Sequence, residues 1–252
     1  MAKENFTTYE ETDPNTRITK TTDRVSYVNL SRAEDAYVYK DKGVDHFDGD
    51  FEHLITIYND ASTYKSVVAI WALANLVDDF AGISAANGDE LAVVQQVYEN
   101  SVRINFREYI EGAFYNTTWT GANLDTPYYL RIKRDEAVGT YGTLYCYIYS
   151  DAARTNLLAT LTLTLHGKKD FRYIYVCQTG NDALSDRYQT GYCENLYLEP
   201  PPPFDAILKR YTGAAFEKAK LKRYDGATFK GQADEQLKYY DGATFKTIDA
   251  GG

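Results

Sequence analysis

At 252 residues the chain has room for one large β domain or two small ones, and 44% hydrophobic with 25% charged residues is ordinary for a folded protein. From Ala206 onward there are nine Lys/Arg and six Asp/Glu, a local +3, whereas the 18 basic and 30 acidic residues before it make −12 of the total −9. An acidic body repels phosphates, which excludes nucleic acid as the partner of the main domain, and no apolar run approaches the ~18 residues of a membrane span, so no membrane partner is expected.

The 24 tyrosines against one methionine favour strands over helices. The start, Met1-Ala2-Lys3-Glu4-Asn5, continues into polar residues without an apolar core, so no secretory signal is expected. Residues 1–24, rich in Thr, Glu, Asp and Asn, read as a loose arm. Alternating or apolar runs then mark eleven strands at residues 25–30, 36–40, 51–58, 66–75, 91–99, 102–109, 128–134, 143–150, 157–165, 171–178 and 192–199. Trp71 centres a nearly continuous apolar run, as in a strand covered on both sides. Residues 102–109 alternate Val102, Ile104 and Phe106 with Arg103, Asn105 and Arg107, and residues 160–165 alternate Thr with Leu. Only residues 76–87 suit a helix, and they suit a loop equally. The pattern predicts an all-β fold of two packed antiparallel sheets over residues 25–199. Cys146, Cys177 and Cys193 have no Cys-x-x-Cys spacing and sit in apolar or aromatic runs, so they are expected as buried free thiols, consistent with folding in a reducing cytoplasm.

Four prolines, Pro200 to Pro203, open a 200–205 linker that favours an extended spacer. Beyond it, residues 206–252 repeat themselves: Lys209-Arg210-Tyr211-Thr212-Gly213-Ala214-Ala215-Phe216, Lys222-Arg223-Tyr224-Asp225-Gly226-Ala227-Thr228-Phe229 and Lys238-Tyr239-Tyr240-Asp241-Gly242-Ala243-Thr244-Phe245. Asp-Gly between aromatic and β-favouring residues signals a hairpin. A four-residue loop at 225–228 sets Tyr224 opposite Phe229, and a two-residue loop at Asp225-Gly226 sets Tyr224 opposite Ala227; the first pairs aromatic with aromatic and is preferred. Hairpins this small need support, so Tyr211, Phe216, Tyr224, Phe229, Tyr240 and Phe245 are expected to hold chain to chain in a homo-oligomer.

The series Phe47-Asp48-Gly49-Asp50-Phe51-Glu52-His53, Ala69-Ile70-Trp71-Ala72-Leu73-Ala74-Asn75, Tyr128-Tyr129-Leu130-Arg131-Ile132-Lys133-Arg134-Asp135, Phe171-Arg172-Tyr173-Ile174-Tyr175 and Thr190-Gly191-Tyr192-Cys193-Glu194-Asn195-Leu196 resembles the concanavalin A-like lectin/glucanase (laminin G-type) jelly roll, in a form common in bacteriophage and environmental viral sequences. The tail resembles the C-terminal Tyr-Asp-Gly repeats of phage tail and virion proteins. Together the resemblances imply a non-enzymatic virion structural protein, made in the host cytoplasm, that displays a lectin-like domain among other virion proteins. The alternatives are a carbohydrate-binding module outside any virion and, more remotely, a glycan hydrolase with an unrecognised site.

Enzymes of this jelly-roll class resemble one another in a Glu-x-Asp-x-x-Glu strand, whose alternation puts three carboxylates on one face. The one Glu-x-Asp here, Glu11-Thr12-Asp13, lacks the third carboxylate and is followed by Pro14, which argues against a central strand. His46, His53 and His166 lack metal-ligand spacing, and His53 reads as a core histidine between Phe51 and Ile55. For glycan stacking the candidates are Trp119, Tyr115 and Tyr141, expected in or near loops. No cofactor is required, but the resemblance implies a possible Ca²⁺ at the sandwich rim, with Asp48, Asp50, Asp78, Asp79, Asn181 and Asp182 as candidate ligands.

Overall fold

The computed structural model describes residues 3–98, 101–182 and 184–198, and in the tail 209–211, 216–218, 238–240 and 245–247. The chain divides into two units, Met1–Pro202 and Pro203–Gly252.

In the first unit the strands are β1 (Glu10–Thr12), β2 (Ile18–Lys20), β3 (Arg24–Ser31), β4 (Tyr37–Asp41), β5 (Phe51–Ser62), β6 (Val67–Ala74), β7 (Glu90–Tyr98), β8 (Ser101–Ile110), β9 (Ala113–Ala122), β10 (Tyr128–Asp135), β11 (Thr143–Tyr149), β12 (Leu157–Thr164), β13 (Tyr173–Thr179) and β14 (Tyr188–Tyr197), with one helix, α1 (Phe80–Ala85). Two seven-stranded antiparallel sheets result. The first runs β1-β4-β13-β6-β7-β8-β9 and the second β12-β11-β10-β5-β14-β3-β2, the two-sheet sandwich that the alternation predicts.

Between the sheets, inward residues of both form one apolar core that includes Trp71, Ile104, Phe106 and Ile174 from the first sheet and Ile55, Ile57, Leu130 and Ile132 from the second. A β-bulge between Ala69 and Trp71 inserts Ile70, so both Ile70 and Trp71 reach this core. Trp71 Nε1–H donates to Nδ1 of His53 across the sheets at 3.1 Å, and Phe51 stacks on the imidazole with ring centroids 4.5 Å apart. Burial lowers the His53 pKa to about 3, so the ring is neutral; its proton sits on Nε2, which is buried without a partner. It is the core histidine expected, satisfied on one side. All three cysteines are free and buried.

Three strands lie outside the eleven expected. β1 and β2 belong to the segment expected as a loose arm, which is instead part of the sandwich: β1 pairs with β4, β2 pairs with β3, and Glu4 N–H donates to Leu196 O at 2.9 Å. Phe6 and Tyr9 are the physical reason, both buried, edge to face at 5.3 Å; burying a side chain of this size is worth roughly 1.5–3 kcal/mol. The third, β9, follows β8 through a two-residue turn, Glu111 and Gly112, both at positive φ (49° and 79°) as a type I′ hairpin needs.

α1 occupies six residues of the 76–87 stretch. Asp79 caps it, its Oδ1 accepting from Gly82 N–H at 2.8 Å. A Cβ at Gly82 would stand 2.1 Å from the Asp78 carboxylate, so only glycine lets Asp78 and Asp79 fold back over this end of the helix.

In the second unit β15 (Lys209–Tyr211) pairs with β16 (Phe216–Lys218), and β17 (Lys238–Tyr240) pairs with β18 (Phe245–Thr247). The registers set Tyr211 opposite Phe216 and Tyr240 opposite Phe245, with four residues between the two in each copy. The middle copy, with Tyr224 and Phe229, lies outside the described residues, as does the 200–205 linker.

Candidate functional site

The outer face of the first sheet carries a second cluster of buried apolar side chains, separate from the main core. Its floor is Ala69, Ala72, Ala74, Ala92 and Val94, and onto it pack Tyr175 and Ile83 of α1. Small side chains on β6 and β7 let the helix approach the sheet closely. Tyr109 OH donates to Ser84 O at 3.3 Å, and its ring meets Phe80 edge to face at 6.0 Å.

Register reads out what shares this face. One row runs Tyr39–Tyr175–Ala72–Ala92–Arg107–Asn116, the next Tyr37–Gln178–Ala69–Val94–Asn105–Thr118, and a third Tyr173–Ala74–Glu90–Tyr109–Phe114. Tyrosines therefore stand at the β4/β13 end, alanines in the middle, and amides with a guanidinium at the β8/β9 end. Tyr39 packs edge to face with Tyr173 at 5.9 Å. Gln96 Oε1 accepts from Asn105 Nδ2 and from Arg107 Nη2, both at 3.3 Å, and Thr118 Oγ1 donates to Asn105 Oδ1 at 2.7 Å.

Among these groups are three buried polar atoms with no hydrogen-bond partner: Glu90 Oε1, Gln178 Oε1 and Arg107 Nε. Glu90 and Gln178 are 2% and 1% exposed. Burial raises the Glu90 pKa to about 8, and the hydrogen bond with Gln178 and the Arg107 charge offset that only in part, so Glu90 is protonated at neutral pH. Burial lowers Arg107 to about 10 against the opposing pull of Glu90, which still leaves it a cation. Buried polar groups in native folds nearly always have partners, so three orphans on one sheet face mark a place where a polar ligand or water completes the bonding.

At the edge of this face Asp35, Asp78 and Asp79 bring carboxylate oxygens within 4.8 Å of one another. Gln178 Nε2 donates to Asp78 O at 3.2 Å, which ties the cluster to the sheet. Asn181 Nδ2 donates to Asp79 Oδ2 at 2.5 Å. Burial, then the Asp79 carboxylate, raises the Asp35 pKa. A second acidic group, Asp48, Glu136 and Asp170, already holds cations: Lys168 lies 3.7 Å from Asp48, and Arg134 lies 2.8 Å from Glu136.

The candidate Ca²⁺ ligands thus divide. Asp78, Asp79 and Asn181 come together with Asp35, a residue the sequence did not single out. Asp48 joins the cation-balanced group. Asp50 is adjacent to it but spends Oδ1 on Glu136 N–H at 2.7 Å, and Asp182 pairs with Arg32. The stacking candidates also move. Trp119 and Tyr115 lie on β9 rather than in loops, and both pack against the core. Trp119 meets Tyr128 edge to face at 5.4 Å, and Tyr115 stacks on His166 at 3.4 Å. Strand alternation turns odd-numbered β9 residues inward, so neither ring is an open platform. Tyr141 is 44% exposed, in the turn between β10 and β11.

No protein-family model matches the chain, and no curated protein matches it in sequence. Among solved structures the chain is similar to a functionally unknown protein from Saccharomyces cerevisiae, at 10% identity and TM-score 0.52 over 78% of this chain and 98% of that one. It is also similar to a legume lectin-like domain from Entamoeba histolytica (10% identity, TM-score 0.49, 77% of this chain and 90% of that one) and to the alginate lyase Aly36B (14% identity, TM-score 0.48, 77% and 87%). At such identities the yeast protein supports the two-sheet fold alone.

Proposed function

We propose that the sandwich is a carbohydrate-binding domain whose ligand lies on the outer face of the first sheet, against the half-buried Arg107 and Gln96, with the buried Asn105 and Gln178 behind them and the β4/β13 tyrosines as its aromatic wall. One observation carries the reading: three unpartnered buried polar atoms converge where a guanidinium, three amides and tyrosines share a sheet face. Hydroxyl-rich ligands need that mixture of donors, acceptors and ring surfaces. Binding rather than turnover is the reading because the Glu90 carboxyl, the protonated acid of the face, lies 2% exposed in the row that α1 crosses. The test is a glycan array followed by calorimetry on the hits. Loss of binding in Arg107→Met, with circular dichroism unchanged, is expected. Binding that survives this change, or release of sugar products during incubation, would overturn the reading.

Ca²⁺ fits the Asp35–Asp78–Asp79 group, with Asn181 beside it. All the donors are oxygens, as a hard cation requires, and a cation would relieve the mutual repulsion felt by Asp35. Added Ca²⁺ should raise the melting temperature of the wild type and leave that of Asp35→Asn unchanged.

The finer reading is display on a virion, with the tail hairpins holding copies together or to the particle. The equal Tyr–Phe register of the first and third hairpins supports a repeated docking unit. Truncation after residue 199 should lower the oligomer mass measured by light scattering; an unchanged mass would remove this role from the tail.

A further inference from the structure

Most arginines of the body are neutralised in place. Arg17, Arg24, Arg131, Arg134 and Arg172 each have a carboxylate oxygen within 2.8 Å. Arg107 differs. Its Nη2 donates to Gln96 Oε1 at 3.3 Å, its Nε is buried without a partner, and among the described residues no carboxylate stands at ion-pair distance from it. The orphan Nε alone says little, because Arg17, Arg131 and Arg134 share it. The missing counter-ion is what sets Arg107 apart. Glu90, whose pull Arg107 feels, is protonated at neutral pH and supplies no negative charge.

The charge on this part of the face has one sign. Among the described residues, the outward positions of β7, β8 and β9 hold two cations, Arg103 and Arg107, and one carboxyl, the neutral Glu90. Glu108, the other acid of β8, turns inward and accepts from His166 N–H at 3.0 Å. In an acidic body this is a local positive spot. A ring lies beside it. Phe114 is 46% exposed, and Arg107 Cζ stands 5.5 Å from its centroid, a cation–π contact that orients the guanidinium. Asn116, opposite Arg107 in register, and Thr118 are exposed on the same strand.

We infer that the ligand of this face is an acidic saccharide, its anionic group, carboxylate or sulfate, paired with the Arg107 guanidinium and its sugar ring laid on Phe114. The inference rests on the carbohydrate reading above and adds the charge class. A guanidinium presents parallel N–H donors that match two oxygens of one anion. Such an anion gives Nε its acceptor and the cation its counter-charge at once. A neutral sugar offers hydroxyls to Nε but leaves a half-buried charge uncompensated. Phe114 takes the apolar side of the pyranose, and Asn116 and Thr118 meet its hydroxyls.

The experiment uses the full chain at about 0.15 M salt, where a screening length of about 8 Å mutes the negative charge of the body. A glycan array is printed in matched sets, each neutral oligosaccharide beside its uronic-acid, sialylated and sulfated forms, and the best set goes to calorimetry. At least one acidic form should bind about tenfold or more tighter than its neutral parent, the worth of a charge-assisted hydrogen bond, and the forms separate carboxylate from sulfate. Arg107→Gln keeps amide donors without the charge and should erase that preference. In the wild type the NMR signal of Arg107 Nε–H should shift when the acidic form binds. Neutral forms that bind as tightly as acidic ones would overturn the inference and leave the carbohydrate reading standing, whereas binding of none would overturn both. A folded Arg107→Gln chain that keeps the preference would also overturn it. Should that variant fail to fold, the Nε–H signal decides, since an unmoved signal means that the anion does not touch Arg107.

Discussion

The outer faces of the two sheets are built from similar residues and differ in how their polar groups are satisfied. On the second sheet, tyrosines lie half-buried and stacked on one another: Tyr58 on Tyr192 at 4.8 Å, Tyr145 on Tyr147 at 6.1 Å. The charges there are paired side to side, although Arg131 Nε is buried without a hydrogen-bond partner. Arg24 meets Glu194 and lies 3.8 Å above the Tyr192 ring, Arg131 meets Glu52, and Lys133 meets Asp135. On the first sheet a helix lies over an alanine floor, and Glu90, Gln178 and Arg107 are left with unpartnered atoms. Paired, solvated side chains make a surface. Buried, unpaired ones hold free energy that a ligand can recover.

The largest expected contrast is in pH dependence. The Glu90 pKa is raised from 4.5 to about 8, so the folded state keeps a proton that the unfolded chain releases. Its stability is full below about 4.5, falls as pH rises toward 8 and is flat above, with an upper bound of roughly 5 kcal/mol. Urea midpoints should fall across that window in the wild type and stay nearly level in Glu90→Gln; equal slopes would mean the carboxyl is not held neutral. Asp135 on the second sheet has the opposite sign, its pKa lowered mainly by the hydrogen bond from Lys133.

Next in size is the helix that makes the first face different. Ile83 is wholly buried, and Ile83→Ala should cost roughly 2–5 kcal/mol in chemical denaturation. A loss under about 1 kcal/mol, the size of an exposed contact, would show that α1 is not packed on the alanines. Arg107→Met should weaken glycan binding by about ten- to a hundredfold, the loss of a charged hydrogen bond. The smallest effect belongs to the second face: Arg131→Met should change stability by about 1 kcal/mol or less and leave binding untouched. Were Arg131→Met to abolish binding and Arg107→Met to spare it, the two faces would exchange roles.

Much of this was legible in advance. Alternation in residues 102–109 put Arg103, Asn105 and Arg107 on one face, and the structure keeps Asn105 and Arg107 together beside Thr118 and Asn116. β9 was missed although Glu111-Gly112 is a two-residue turn signal, because its own alternation is of aromatics with Thr and Asn rather than apolar with charged. That miss misplaced Trp119 and Tyr115, which became inward strand residues once β9 existed.

By itself the sequence determined that the body is a two-sheet β sandwich, with His53 and the cysteines inside it, and that the tail pairs Tyr with Phe where it is described. These follow from period-two alternation and turn chemistry, which are local. Only the tertiary structure decided which outer face is covered, since alternation tells inward from outward and not whether a helix lies beyond. It brought Asp35 to Asp78 and Asp79, and Glu90 to Gln178, across distances along the chain that no spacing rule spans. It also decided that the uncharged β12 is an edge, because strand order is set by how two sheets bury a shared core.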